Sequence, residues 1–459
     1  MKQLIEQQVK VISQQGKGKR ILFASVPADG HFNPLTGIAV HLKSIGYDVR
    51  WYTSKIYSDK LNKLNIRHYP FIKALEATGD NMQEIFPERR KYKSTVAKLN
   101  FDIINFFLLR STEYYADIRR IHDLFPFDLM IADGAFSAIP FIKEKMNIPV
   151  ISIGILPLSE TSKDLPPSGL GMVPSSSIMG KVKQAALRWV AENILFKKST
   201  KELARITAEN GLSYEGQTPF DYLVKKATLF LQSATPGFEY HRSDLGKNIR
   251  FVGPLLPNLS QGNQKPWFDE RLQKYEKVIL VTQGTVEKNV EKLLVPTLEA
   301  FKGSDTLVVA TTGGSGTKAL QERYRQTNII VEDFIPFADV MPYTDVYITN
   351  GGYGGIMLGI KNELPLVVAG VHEGKNEICA RVGYFKLGVN LKTEKPSPSQ
   401  LKKAVEEVFA NNSYKKNVSR LAKEFAEYNS NEIISEFAAQ EIAAYAAYKS
   451  KDELQEKIY

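Results

Sequence analysis

The chain has 459 residues, 43% of them hydrophobic and 24% charged, with 60 Lys and Arg against 50 Asp and Glu for a formal charge of +10. That length supports two or three globular domains, and the basic residues are interspersed with acidic ones, which argues against nucleic-acid binding and suits small anionic ligands. A single cysteine, Cys379, excludes an internal disulfide framework and fits a reducing cytoplasm, and no run of about 18 apolar residues offers a membrane span.

The first 19 residues lack the apolar core of a signal peptide. Residues 20–26 then read as a buried strand, 34–45 as a helix closed by Gly46, and 47–52 as the next strand, so the chain opens β-α-β. At the first strand-to-helix junction stands Gly30-His31-Phe32-Asn33-Pro34, which puts an imidazole at the carboxyl edge of a sheet. Residues 96–124 read as a long helix, with Phe101, Phe106, Phe107, Tyr114 and Tyr115 at the spacing of a core-facing stripe. Further strands are expected at 128–132 and 149–153, which makes an α/β, doubly wound parallel sheet. Asp133 ends the first of these and could hold the Nδ1–H of His31 while Nε2 accepts a proton; equally, both could be plain turn and cap residues. A loop rich in Pro, Gly and Ser covers 156–177, and loops of that length usually carry function.

The turn-rich stretch 253–266 reads as a linker between an N-terminal domain, 1–252, and a second β/α series, 267–430. Strands are expected there at 278–282, 306–310, 328–331, 346–349, 364–369 and 388–391. Gly284 and Thr285 end the first of them, and Thr311 to Gly316 ends the next; either could lend donors to a diphosphate, though each could be only a tight turn. Phe334-Ile335-Pro336 offers a ring for stacking, or for packing. Most informative is Asn350-Gly351-Gly352-Tyr353-Gly354-Gly355, in which a strand breaks into four glycines before a helix. Helix-start N–H groups lack intrahelical acceptors, and glycines let a phosphate approach them. Residues 431–459 are expected to pack back on the first domain as a helix. No His/Cys cluster and no D-x-D run suggests a metal site.

In order and spacing these motifs resemble the family 1 glycosyltransferases of GT-B fold, over nearly the whole chain. Within that family the resemblance is closest to bacterial enzymes that glycosylate flavonoids and other phenols, including rhamnosyl-transferring ones. It implies two Rossmann-like domains facing across a cleft and an inverting, metal-independent O-glycosyltransferase with no cofactor beyond the nucleotide-sugar co-substrate. His31 is then the general base and Asp133 its partner. Gly284, Thr285, Asn350, Gly351, Gly352, Gly354 and Gly355 would meet the diphosphate, and Phe334 with Pro336 the nucleobase. Glu373, Lys375, Asn376 and Glu377 would meet the donor sugar, and Phe32, Phe101, Phe106 and Phe136 would line the acceptor pocket with the 156–177 loop.

Four departures matter, one of them that Lys375, Asn376 and Glu377 replace the usual Asp-Gln or Glu-Gln pair. Asn350 stands where the family often has His, Gly354-Gly355 where it often has Asn-Ser, and Leu358 where many members carry a Glu that bonds the ribose hydroxyls. Without that carboxylate the reason to prefer ribose over deoxyribose is lost, so TDP-rhamnose is the expected donor and UDP-glucose the runner-up. The expected acceptor is a phenolic small molecule. Other readings are a nucleotide-sugar-binding regulator, which would not need the His31–Asp133 pair, a GT-B-like sugar-nucleotide epimerase, and a lipid-acceptor transferase, which would need an exposed apolar or basic membrane-docking patch that is not obvious in the sequence.

Overall fold

The computed structural model describes residues 16–79, 81–256, 266–284, 287–372 and 374–456. Seven strands form the first sheet: β1 (Arg20–Ala24), β2 (Asp48–Thr53), β3 (Arg67–Pro70), β4 (Leu129–Asp133), β5 (Val150–Gly154), β6 (Leu229–Gln232) and β7 (Ile249–Phe251). Their order is β3-β2-β1-β4-β5-β6-β7 and every pairing is parallel. The second sheet holds β8 (Lys277–Thr282), β9 (Thr306–Thr311), β10 (Ile329–Glu332), β11 (Val346–Thr349), β12 (Leu366–Val368) and β13 (Gly388–Asn390), in the order β10-β9-β8-β11-β12-β13, again all parallel. In each sheet the order reverses beside the first strand, so the crevice at that switch point lies at the carboxyl ends of the strands.

Both faces of each sheet are covered, and the central strands therefore read as unbroken apolar runs such as Val278 to Val281. In the first domain one face buries Ile21, Phe23, Trp51 and Ile131, and the other Leu22, Ala24, Tyr52 and Met130. The final helix, Ser430–Glu456, inserts Ile434, Ala438 and Ile442 into the first of these clusters and Tyr445 into the second. At about 1.5–3 kcal/mol per buried large apolar side chain, those contacts hold the end of the chain on the N-terminal domain.

Several expected elements differ in detail. The first helix begins at Asp29, five residues before Pro34, and runs to Ser44. Proline is tolerated inside it because the one lost bond is that to the carbonyl of Gly30, still close to the helix start. The expected helix over 96–124 is broken into Thr95–Asp102, a π-turn at Ile103–Phe107, a 3-10 turn at Leu108–Arg110, and Ser111–Leu124. Strands β3, β6 and β7 were not anticipated. They are only three or four residues long, and β3 is too polar and too exposed to leave an alternating pattern.

Candidate active site

His31 sits in the first turn of the helix Asp29–Ser44, which follows β1, and Asp133 is the last residue of β4, the parallel neighbour of β1. Because Ala24 of β1 pairs with Ala132 of β4, both side chains emerge at the same sheet edge. The His31 Nδ1 and Asp133 Oδ1 atoms are 2.8 Å apart. Asp133 is fully buried, and its carboxylate also accepts the N–H of Val26 at 2.8 Å and of Ala135 at 2.9 Å. Three donors on one carboxylate fix it in place, and because the carboxylate oxygen is the acceptor opposite Nδ1, the shared hydrogen belongs to Nδ1 and the Nε2 lone pair is left free. Nε2 has no hydrogen-bond partner among the described residues, and the ring keeps 17% of its surface exposed.

In the second domain β8 and β11 are neighbours, and their carboxyl ends carry Gly284 and Asn350. The Asn350 side-chain amide donates to the carbonyl of Gln283, binding the two turns together. Gly351 has φ +82°, and a Cβ there would lie 2.4 Å from the Cys379 sulfur; one on Gly370 would lie 2.1 Å from the Asn350 carbonyl oxygen. Both positions therefore require glycine. Gly352 caps the nine-residue helix Tyr353–Lys361 with no side-chain cap and no acid in the first turn. Its first helical bond runs from Ile356 N–H to Gly352 O, so the N–H groups of Tyr353, Gly354 and Gly355 precede the ladder, and Gly354 leaves open space above them. The helix packs against the helix that carries His31, and the Tyr353 hydroxyl donates to Ser233 O, at the end of β6, at 2.8 Å.

Phe334 is 68% exposed, with one edge of its ring beside Gly314. It is a free platform and not core. Pro336, half-buried, caps the turn Phe337–Val340. Phe334→Ala is expected to weaken donor binding by about 1–3 kcal/mol, the range for loss of one base-stacking ring, with no change in melting temperature; titration calorimetry with the nucleoside diphosphate checks it. The turn from Thr312 to Gly316 consumes its own polar groups: Gly314 N–H and Thr317 bond the Thr312 hydroxyl, and Gly313 N–H donates to Asp333 O. Thr285 and Glu373 lie outside the described residues.

Lys375 opens the helix Lys375–Tyr384 beside Gly351 and Gly370. Asn376 and Glu377 are engaged elsewhere. Asn376 Nδ2 donates to Gly169 O at 2.9 Å, and Glu377 Oε1 accepts the N–H groups of Gly169 and Gly171 at 2.9 and 2.8 Å. These two side chains thus hold the 156–177 loop across the domain boundary, so in this arrangement they do not face an open donor space. Behind them Arg381, buried, bridges Glu377 at 3.1 Å and Glu239 of the first domain at 2.9 Å, and Glu239 also pairs with Arg242 at 3.4 Å. Burial opposes charge on Arg381, but Glu239 and Glu377 outweigh it and hold the guanidinium above its ordinary pKa; burial pushes Arg242 below its own. Glu239 gives no motif in the sequence, because its partner Arg381 lies 142 residues away.

Two of the expected acceptor-pocket residues belong to the core instead. Phe32 is fully buried, stacked on Tyr57 at 4.1 Å and against Trp51 at 4.6 Å, because it points down the helix toward the sheet while His31 points to its edge. Phe136 is also fully buried, stacked on Tyr114 at 4.7 Å. Phe101 and the half-exposed Phe106 gather around Phe86 in a satellite cluster, where the π-turn rotates Phe106 partly outward.

Residues 190–427 match the family described as UDP-glucoronosyl and UDP-glucosyl transferase. The chain is 32% identical over 410 residues to the 4'-demethylrebeccamycin synthase of Lentzea aerocolonigenes, covering 89% of this chain and 96% of that one. It is 29% identical over 424 residues to UDP-glucosyltransferase 1 of Beauveria bassiana, covering 88% and 91%. Among solved structures, the glycotransferase of kitacinnamycin superposes with a TM-score of 0.71 at 18% identity, covering 92% of this chain and 99% of that one, which shows a shared GT-B architecture.

Proposed function

The chain belongs to the UDP-glucoronosyl and UDP-glucosyl transferase family and is a nucleotide-sugar-dependent glycosyltransferase, and on that footing we propose that it moves rhamnose from TDP-rhamnose to a hydroxyl of a flavonoid or another phenolic small molecule. The reaction is a single inverting displacement that uses no metal. His31 Nε2 takes the proton of the acceptor hydroxyl as its oxygen attacks the anomeric carbon, and the nucleoside diphosphate departs from the opposite face. The negative charge that develops on the diphosphate meets the N–H groups of Tyr353, Gly354 and Gly355, the Asn350 side chain and the positive end of their helix dipole. Lys375, at the start of its helix beside Gly351 and Gly370, adds a cation near the donor.

The observation that carries this reading is the His31–Asp133 pair, with Nδ1 bonded and Nε2 free at the sheet edge, an arrangement a mere binder of nucleotide sugars does not need. A phenol suits it because its pKa, about 10, is far below that of an alkyl alcohol, so one imidazole suffices. The preference for a thymidine donor rests on Leu358, half-buried on the cradle helix, which offers no acceptor to a ribose diol. UDP-glucose is the second reading, favoured by the relative from Beauveria bassiana, which is named a UDP-glucosyltransferase. Incubating the protein with a flavonol and equal amounts of TDP-rhamnose and UDP-glucose, then weighing the product by mass spectrometry, decides between them. The rhamnoside is expected; a predominant glucoside overturns the donor assignment.

A further inference from the structure

We infer that the helix Ile178–Val190 forms a docking face for an anionic lipid surface. Ile178, Val182, Ala185 and Trp189 recur at intervals of four, three and four residues, which at 100° per residue places them within a stripe about 60° wide. All four point to solvent, Ile178, Val182 and Trp189 being 84%, 66% and 58% exposed, and Met179 beside them is 85% exposed. A helix that binds its own protein turns such a stripe inward. Here the opposite face makes the attachment: Gln184 accepts the N–H of Ser175 and donates to Asp164 O at 3.2 Å, Arg188 donates to Leu165 O, and Ala191 is buried near Phe141 and Leu203. The apolar stripe is left without a partner among the described residues.

Charge selects the occupant. Lys181 borders the stripe, Lys183, Lys197, Lys198 and Lys201 add positive charge to the same segment, and Glu192 is the one acid between 178 and 201. A second copy of this chain on the stripe would bring these lysines against their own kind, whereas an anionic bilayer meets both the apolar side chains and the lysines. Trp189 has the amphipathic ring that settles at a lipid–water boundary. None of the described helices is long and apolar enough to cross a membrane, so the contact is peripheral.

The helix is bonded through Gln184 and Arg188 to the loop that reaches Glu377 at the domain cleft. Docking therefore sets the rim of the cleft at the lipid surface, where sparingly soluble acceptors concentrate. That consequence rests on the proposed acceptor class; the docking does not.

Co-sedimentation of the full chain with vesicles of phosphatidylcholine, alone or mixed in equal parts with phosphatidylglycerol, tests it. The protein is expected to bind the mixed vesicles, about tenfold more weakly when they lack phosphatidylglycerol, and about tenfold more weakly again in the V182D/W189S variant. Raising salt from about 0.1 to about 1 M, which shortens the Debye length from about 10 to about 3 Å, should release it. Trp189 emission should shift to the blue on binding, a change absent in W189S. Both substituted positions are exposed and outside the transfer machinery, so transfer to a soluble phenol should be unchanged. No binding, equal binding to neutral and anionic vesicles, or binding untouched by V182D/W189S overturns the proposal, as does a dimer in sedimentation velocity that V182D/W189S dissociates. Vesicle binding is read without turnover, so failure of the proposed acceptor class leaves this result intact.

Discussion

Replacing His31 with Ala is expected to lower kcat about 10²- to 10⁴-fold, the usual contribution of a positioned general base, while the affinity for the nucleotide-sugar donor stays within about twofold. The two effects separate because His31 belongs to the first domain, whereas the glycine cradle, Asn350 and Phe334 belong to the second. Asp133→Asn should be milder toward the fold than Asp133→Ala, because an amide oxygen at the Oδ2 position still accepts from Val26, although the amide nitrogen then faces Ala135 N–H as well as His31 Nδ1. It should nevertheless impair transfer, since an amide nitrogen facing Nδ1 favours the wrong tautomer. Steady-state kinetics with donor binding measured by calorimetry settles the matter. If His31→Ala loses donor affinity in proportion to activity, the imidazole is a structural residue and the mechanism fails.

Glu239→Gln is expected to destabilise the protein by about 3–5 kcal/mol, the cost of breaking a buried ion pair from one side. The carboxylate lies between Arg381 and Arg242, all three nearly inaccessible, and its other oxygen accepts the N–H of Leu158 at 2.9 Å. Neutralising it leaves two guanidinium groups with Glu377 as the one remaining anion of the network. Because Arg381 comes from the second domain and Glu239 from the first, the loss should also loosen domain closure and release the loop held at Gly169 and Gly171. Urea unfolding followed by far-ultraviolet circular dichroism gives the free energy. A change below about 1 kcal/mol would mean that water reaches these charges and that the domains are not locked together by them.

The elements most legible in the sequence were those whose meaning is local. The strand before His31, the strand before Asn350 and the glycines after it are marked by apolar runs and by residues whose backbone needs are met within a few positions. Phe334 was ambiguous because a ring before Ile335 and Pro336 has the same composition in a core as on a surface, and only its position at the domain edge exposes it. Phe32 and Phe136 were misassigned for the same reason in reverse. His31 and Asp133 face the sheet edge, but the chain turns Phe32, one residue on, and Phe136, three residues on, into the interior. Asn376 and Glu377 have the polarity of sugar-binding residues, and that polarity is spent on a loop some two hundred residues away.

The sequence by itself determined the class of fold, the strand-to-helix junctions at His31 and Asn350, and the family, because apolar periodicity, glycine turns and motif order are written within short stretches of chain. Only the tertiary structure decided which rings are core, which charges bolt the two domains together, and which helix face is left bare. Those outcomes depend on contacts between segments far apart in the chain, where burial and charge neutralisation are settled jointly by both partners and by neither alone.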